Sequence, residues 1–447
     1  MHRAALFTEI ATAWNERQVL YAVSHGLEGY PNDLGRDVDV LVAAEQVEDA
    51  IATATTVLEA HGLTVVEPHP MWGRRVVAVD RSTNAMLEVH LSTEVTWRGA
   101  ALVRRPDPTQ RVGVVAIDPG LAVAKRVLAP LLAGNEAKFV RAPDEFALRD
   151  GEAAAASALF PTLLPAPLAE ALLQALRAGD LDAATALVPA LRRGVLTGAA
   201  RREPHVFVMR VARGLTRKVR QPFSPCAPVI AFVGPDGAGK STVIRAILEG
   251  DRGVFTQVLL RHWRPFFLPR LGALAGRPAP TPGSDGLLPP RRRAGRFSRL
   301  RLAYFYLDYL LGGWFRDRVA TSRQQLVLYD RCALDMEVDP ARYGLRSGAL
   351  RGWARWPLPW PDRIVLLTCD AATIHARKPE LPVEELEQHL AAWQRLVDRG
   401  DVDAVLRTDA PPAEVVRQAR ALITDAFVEV NRRRVDQRGP AALRSAQ

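Results

Sequence analysis

Three groups of side chains have types and spacings suited to chemistry on phosphates. The first is Gly234-Pro235-Asp236-Gly237-Ala238-Gly239-Lys240-Ser241 followed by Thr242, a G-x-x-x-x-G-K-S run placed after the apolar stretch Val229–Val233 and before a helix-like stretch. Glycines let the backbone curl so that successive N–H groups face a phosphate, and the start of the following helix adds its positive dipole end. A lysine at that spacing reaches β- and γ-phosphates, and the serine hydroxyl is offered to Mg²⁺. Gly234, Asp236, Gly237, Ala238, Gly239, Lys240, Ser241 and Thr242 are therefore assigned to ATP.

The second group lies further along the chain. Asp330-Arg331 closes the apolar run QLVLYD (325–330), which places a carboxylate and a guanidinium at the carboxyl edge of a strand. Open α/β sheets bind ligands at that edge. Asp330 is assigned to Mg²⁺ and Arg331 to an acceptor or transferring phosphate. A further apolar run, RIVLLTCD (363–370), leads into Arg377-Lys378, and Lys378 is one of only five lysines in the chain. Adjacent cations there suit a lid that closes over a triphosphate and offsets charge in transfer.

The third group is amino-terminal. Asp37 and Asp39 alternate within a strand-like run (37–42), so both carboxylates fall on one face. Such pairs hold divalent metal ions for nucleotidyl transfer, with a third carboxylate from a neighbouring strand. Glu88, with His90 beside it on its own face, is the expected third member.

These groups need elements to position them. A chain of 447 residues is expected to form two or three domains. With 48% hydrophobic and 24% charged residues it belongs among folded proteins, and no uncharged apolar run is long enough for a transmembrane helix. Cys226, Cys332 and Cys369 are too widely spaced for a disulfide framework or a zinc cage, so a reducing cytoplasm is expected. The net charge of +10 is carried almost wholly by arginine. That balance admits anionic substrates, nucleic acid or a membrane surface and selects none.

Residues 1–130 read as a mixed α/β domain, with strands near 38–42, 63–67, 75–80, 85–91 and 112–117. Residues 131–222 read as a helical middle region ending in a proline-rich linker (219–228). Strands and helices alternate through 223–430, and 431–447 reads as a charged, frayed tail. Within the third part, 272–299 reads as a Pro/Arg-rich loop and 300–315 as a buried helix.

GPDGAGKST, the LYDR strand end and the ARK segment together resemble the thymidylate kinase family of P-loop nucleoside monophosphate kinases, over roughly 226–428. The resemblance implies a P-loop NTPase fold: a parallel sheet with helices on both faces. It implies that Asp236 helps hold the acceptor, that Arg264-Pro265 in LLRHWRP meets the acceptor phosphate, and that Asp330 and Arg331 line the centre. Arg377 and Lys378 would flank the γ-phosphate. The chain departs from the family in lacking Gly-Gly-Thr after Arg264-Pro265 and in carrying Cys332 after Asp330-Arg331. The segment Asp335…Asp339-Pro340…Arg342-Tyr343 is also not standard, and Arg342 is assigned to the acceptor. Amino-terminally, Ser24–Gly29 with Asp37 and Asp39 resembles the nucleotidyltransferase superfamily over about 15–120, although its usual Gly-Ser is replaced by His25-Gly26-Leu27, so both an active transferase site and a retained fold without catalysis stay open.

The expected function is ATP- and Mg²⁺-dependent phosphoryl transfer to a nucleoside monophosphate or a related small phosphorylated or sugar acceptor. Two alternatives stay open: a bifunctional kinase and nucleotidyltransferase, and an ATP-binding regulatory or nucleic-acid-binding protein. The run Arg291–Arg293, Arg296, Arg299 and Arg301 suits nucleic-acid phosphates, yet no helix-turn-helix, zinc finger or RNP-type motif accompanies it. Relatives of this kind often pair, so a homodimer also stays open.

Overall fold

Alternating apolar and polar residues in the first 120 positions form strands whose two faces meet two different cores. The computed structural model describes residues 1–27, 29–35, 37–68, 74–141, 146–149, 151–220, 224–269, 298–346, 360–379 and 381–442, and the side chains of 217, 218, 220 and 434–442 also lie outside the description. Of the expected loop 272–299, residues 272–297, with Arg291–Arg293 and Arg296, fall outside the described residues, as do Glu28 and Arg36, whereas Ser298 and Arg299 open the helix Ser298–Gly312. The chain divides into two units, Met1–Arg220 and Gln221–Gln447.

In unit 1 the strands are β1 (Tyr21–His25), β2 (Asp37–Val42), β3 (Thr64–Val66), β4 (Arg74–Asp80), β5 (Ala85–Ser92), β6 (Val95–Trp97), β7 (Ala100–Val103), β8 (Gln110–Val112) and β9 (Val115–Ile117). Seven of them form a mixed sheet in the order β3-β4-β5-β2-β1-β9-β8, and β6 pairs with β7 separately. Val38, Val40 and Val42 enter a core with Phe7, Ile10 and Trp14 of helix Arg3–Glu16 and Leu58 of helix Val47–Ala60. Trp14 Nε1 donates to the Ala50 carbonyl at 2.9 Å and ties these helices together. Period-two geometry sends Asp37, Asp39 and Leu41 to the opposite face.

On that face Leu41 and Ala22 share a core with Leu128, Leu172, Leu176, Leu191 and Val195. The helices Glu152–Leu163, Ala166–Ala178 and Leu181–Arg202 of the expected helical region 131–222 thus pack as part of unit 1. Gly179 ends one helix at φ +67, and Asp180 caps the next by accepting from Ala183 N at 2.9 Å.

Unit 2 contains β10 (Val229–Val233), β11 (Gln257–His262), β12 (Gln325–Asp330), β13 (Arg363–Thr368) and β14 (Ala404–Arg407), in the order β11-β12-β10-β13-β14. Every neighbouring pair is parallel. The near-continuous apolar runs of β10, β12 and β13 suit strands covered on both faces. Helices Lys240–Glu249, Ser298–Gly312, Ala371–Arg377, Val383–Asp398 and Pro412–Ala442 flank this sheet. The protein is therefore α/β, and unit 2 is compatible with a P-loop-like fold. Among the described residues no helix is long and apolar enough to cross a membrane.

Two expectations are corrected. The helix expected at 300–315 is buried along one side only: Asp308 is fully enclosed, whereas Leu307, Trp314 and Phe315 are exposed. The expected frayed tail begins inside a helix that runs to Ala442. Its first residue, Asn431, is buried, and its Nδ2 donates to the Cys226 carbonyl at 3.1 Å and to the Phe427 carbonyl at 2.8 Å. The polar head of a charged run here closes the core over the linker. Asn431→Ala should remove both bonds and lower stability by about 1–2 kcal/mol, read as a lower thermal midpoint of unit 2.

Candidate nucleotide and acceptor site

The strand order turns back at β10, which lies between β12 and β13, and the crevice at the carboxyl ends of such strands is where open α/β sheets receive ligands. The glycine-rich loop leaves β10 at this point. Gly234 has φ +136, and a Cβ there would collide with the Leu367 carbonyl oxygen of β13, so the chain passes only as glycine. Gly237, at φ +87, lies against the segment expected to be a lid: a Cβ would stand 3.2 Å from Lys378 Cβ and 3.0 Å from the Ile374 carbonyl oxygen. Gly239 caps the helix Lys240–Glu249, and Ser241 and Thr242 are exposed in its first turn.

Lys240 is buried and folds back on its own loop. Its Nζ donates to the carbonyls of Gly234 at 2.9 Å and Pro235 at 2.8 Å. Burial, aided by the Arg331 charge, pulls the ammonium down to about 8, against the opposing pull of Asp236, Asp330 and Asp335. Asp236 is the centre of a cation cluster. Arg331 Nη2 donates to one carboxylate oxygen, Arg342 Nη2 lies 2.5 Å from the other, and Lys240 Nζ is 3.9 Å away. Burial alone would raise the Asp236 pKa, but Arg331, Lys240 and Arg342 hold it well below the usual carboxylate range.

Arg331 has φ +75, a left-handed conformation that costs an arginine energy and that its surroundings hold in place. Its N–H donates to the Phe232 carbonyl at 2.9 Å, and Nη1 donates to Asp335 Oδ1 at 2.7 Å. Asp335 in turn accepts from the Cys332 N–H at 3.0 Å and is itself buried, which raises its pKa against the pull of Arg331. Sequence reasoning gave Asp335 no role. Its position four residues after Arg331, within reach of the guanidinium, was the available signal.

Asp330 is β12's last residue and pairs in register with Phe232 of β10 and His262 of β11. One carboxylate oxygen, Oδ1, is buried with no hydrogen-bond partner, while Oδ2 is 3.8 Å from His262 Nδ1. Burial raises its pKa, but His262, Lys240 and Arg331 outweigh that and lower it. An orphaned buried carboxylate oxygen beside a phosphate loop fits Mg²⁺, which takes one or two protein oxygens plus phosphates and waters. Among the described residues no group of three or more His, Cys, Asp or Glu is arranged to hold a metal ion. A phosphate-loop magnesium site does not require such a group.

Arg377 ends the helix Ala371–Arg377 and is anchored by Thr408: Nη2 donates to the Thr408 carbonyl at 2.9 Å and Nη1 to its hydroxyl at 3.3 Å. Thr408 also faces Gly239, so both expected lid cations stand beside the loop. Arg342 joins the cluster through Asp236 and through Asp339 at 3.3 Å.

Arg264 does not join it. This residue is 2% exposed, and its Nη1 donates to Asp308 Oδ2 at 3.2 Å. Asp308 also accepts from the backbone N–H of Phe266 at 3.1 Å and of Leu268 at 2.5 Å. Phe266, Trp263 and Phe305 rings crowd the guanidinium, with centroids 4.4, 5.3 and 5.6 Å from its carbon. A cation so enclosed and neutralised braces β11 against the helix Ser298–Gly312 and offers no face to an acceptor phosphate.

In unit 1 the expected carboxylates do converge. β2 and β5 run parallel with Asp37 opposite Glu88 and Asp39 opposite His90, so all four share a face. Asp39 Oδ1 is 2.7 Å from His90 Nδ1 and Oδ2 is 3.2 Å from Lys125 Nζ, while Arg75 Nη1 lies 3.5 Å from Glu88 Oε1.

No protein-family model and no curated protein matches the chain.

The arrangement in unit 2 can take up an anionic ligand at one sheet edge, where cations outnumber the carboxylates that restrain them. Two outcomes are expected. Lys240 binds its proton less tightly folded than unfolded, so stability of the ligand-free protein should rise as pH climbs from about 8 toward the ordinary lysine value, and Lys240→Met should flatten that rise in urea-unfolding midpoints. Asp308→Ala should destabilise unit 2 by roughly 3–5 kcal/mol by stranding Arg264, whereas the joint change Arg264→Met/Asp308→Leu should recover most of that loss in the same melts.

Proposed function

We propose that unit 2 is an ATP- and Mg²⁺-dependent phosphotransferase, similar to thymidylate kinases, acting on a nucleoside monophosphate or a related small phosphorylated or sugar acceptor. The observation that carries this reading is the convergence of Lys240, Asp236, Arg331, Arg342 and Asp330 at the carboxyl edge of β10 and β12, directly under the glycine-rich loop. In this reading the loop N–H groups and the start of helix Lys240–Glu249 receive the triphosphate. Ser241 and Asp330 would hold Mg²⁺, which when bound supplies positive charge to the phosphates.

Lys240 leaves the Gly234 and Pro235 carbonyls to meet the β- and γ-phosphates, and Arg377 and Lys378 lie on the lid side of the same loop. Arg331 and Arg342 trade part of their bonding to Asp236 for the acceptor, and Asp236 remains to orient it. Asp335 keeps the Arg331 guanidinium in place throughout. Rate enhancement then comes from positioning and charge neutralisation, as phosphoryl transfer in general requires. The buried Cys226, Cys332 and Cys369 form no disulfide among the described residues, which supports a reducing, cytoplasmic setting.

Transfer of labelled phosphate from ATP with Mg²⁺ to a panel of nucleoside monophosphates, sugars and sugar phosphates tests the proposal. One acceptor should become labelled, and Lys240→Ala should cut that labelling by roughly 100-fold or more. ATP hydrolysed at the same rate with and without every acceptor would count against a kinase and for an ATP-driven regulatory protein.

A further inference from the structure

The carboxylate cluster of unit 1 has the strand register that a metal-dependent transferase site needs, yet Asp39 and Glu88 are engaged by basic side chains of the chain itself. Asp39 has one oxygen on His90 and the other on Lys125. Glu88 faces Arg75 across the β4–β5 pairing, where Arg75 is the register partner of His90.

These cations are not loose surface tails that swing aside. Arg75 is 7% exposed and belongs to the seven-stranded sheet, so its position follows from the pairing of β4 with β5. Lys125 projects from the π-turn Ala124–Leu128, whose Ala124, Val127 and Leu128 are completely buried in the helical core. A π-turn alters which way its residues point relative to an ordinary helix. The next residue, Arg126, is committed elsewhere, to Glu152 and the Ala147 carbonyl.

Asp39, held by Lys125 and His90, and Glu88, held by Arg75, are largely neutralised internally. A divalent ion would have to displace Lys125 and stand near Arg75, leaving cations without their partners in a mostly enclosed site.

We infer that this cluster holds no divalent metal ion and is an ion-pair lock, in which Lys125 and Arg75 supply the positive charge that metal ions would bring and tie β2, β4 and β5 to the Ala124–Leu128 turn. Unit 1 then does not carry out metal-dependent nucleotidyl transfer, and the divalent-ion requirement of the chain belongs to unit 2 alone.

The test uses the full chain carrying Ser241→Ala and Asp330→Asn, which disables the proposed magnesium site of unit 2 and leaves unit 1 untouched. Mn²⁺ is titrated with and without ATP, read by electron paramagnetic resonance and by the thermal midpoint of unit 1. The expected result is no bound-Mn²⁺ signal and no Mn²⁺-dependent rise in the midpoint. In the otherwise native chain, Lys125→Met should lower the unit 1 midpoint by about 2–4 °C or more. A bound-Mn²⁺ signal that persists in the unit 2 variant and disappears on adding Asp39→Asn would overturn the inference. So would a Lys125→Met chain that melts at the native midpoint. Should Lys125→Met fail to fold, Lys125→Arg, which keeps the charge, is expected to restore folding, and its failure to do so would equally count against the lock.

Discussion

The organisation of unit 2 turns on one carboxylate placed among three cations. Asp236 lies inside the glycine-rich loop, where it meets Arg331 from the end of β12, Arg342 from the turn Pro340–Tyr343 and Lys240 from the helix start. Without it, those cations would be forced together at one partly buried point, and mutual repulsion in a medium of reduced dielectric would open the crevice. With it, the glycine-rich loop, the β12 edge and the segment after Asp335 are held as one piece.

That piece is braced from behind by further contacts within the chain. Asp335 fixes the far side of the Arg331 guanidinium, and Thr408 fixes Arg377. Arg264 and Asp308 show the opposite use of the same charges. Their pair is fully enclosed, ringed by Trp263, Phe266 and Phe305, and every oxygen of Asp308 is taken by the chain. The contrast between the two clusters is one of access. Around Asp236 the cations stand at the sheet edge beneath the loop, whereas around Asp308 aromatic rings fill the space that a substrate would need. A similar closure governs unit 1, where carboxylates in register across β2 and β5 meet a lysine and an arginine instead of open space.

Local patterns were legible wherever a single element sets the chemistry. Glycine spacing placed the tight loop after β10 because the backbone there must adopt positive φ and pass close to β13, and only glycine does both. Alternation placed Asp37 and Asp39 on one face because a strand has a period of two. The Gly179-Asp180 pair marked a helix end and a helix start, since one supplies a left-handed residue and the other a capping oxygen. The helical texture of 131–222 was also readable, but not its membership of the amino-terminal core, since which strands those leucines cover is a long-range matter.

By itself, then, the sequence determined the loop, the strand ends and the faces that carry the charged residues, because backbone geometry and side-chain period act over a few neighbouring positions. Tertiary structure alone decided which charges meet. Arg264, Arg331 and Arg342 look alike in the chain, yet the first is enclosed with Asp308 forty-four residues away while the other two reach Asp236 in the loop. Asn431 looked like the start of a solvated tail and instead caps a core, because its partner Cys226 lies over two hundred residues earlier. Whether an arginine serves a ligand or a brace depends on what packs around it, and that follows from the meeting of distant segments.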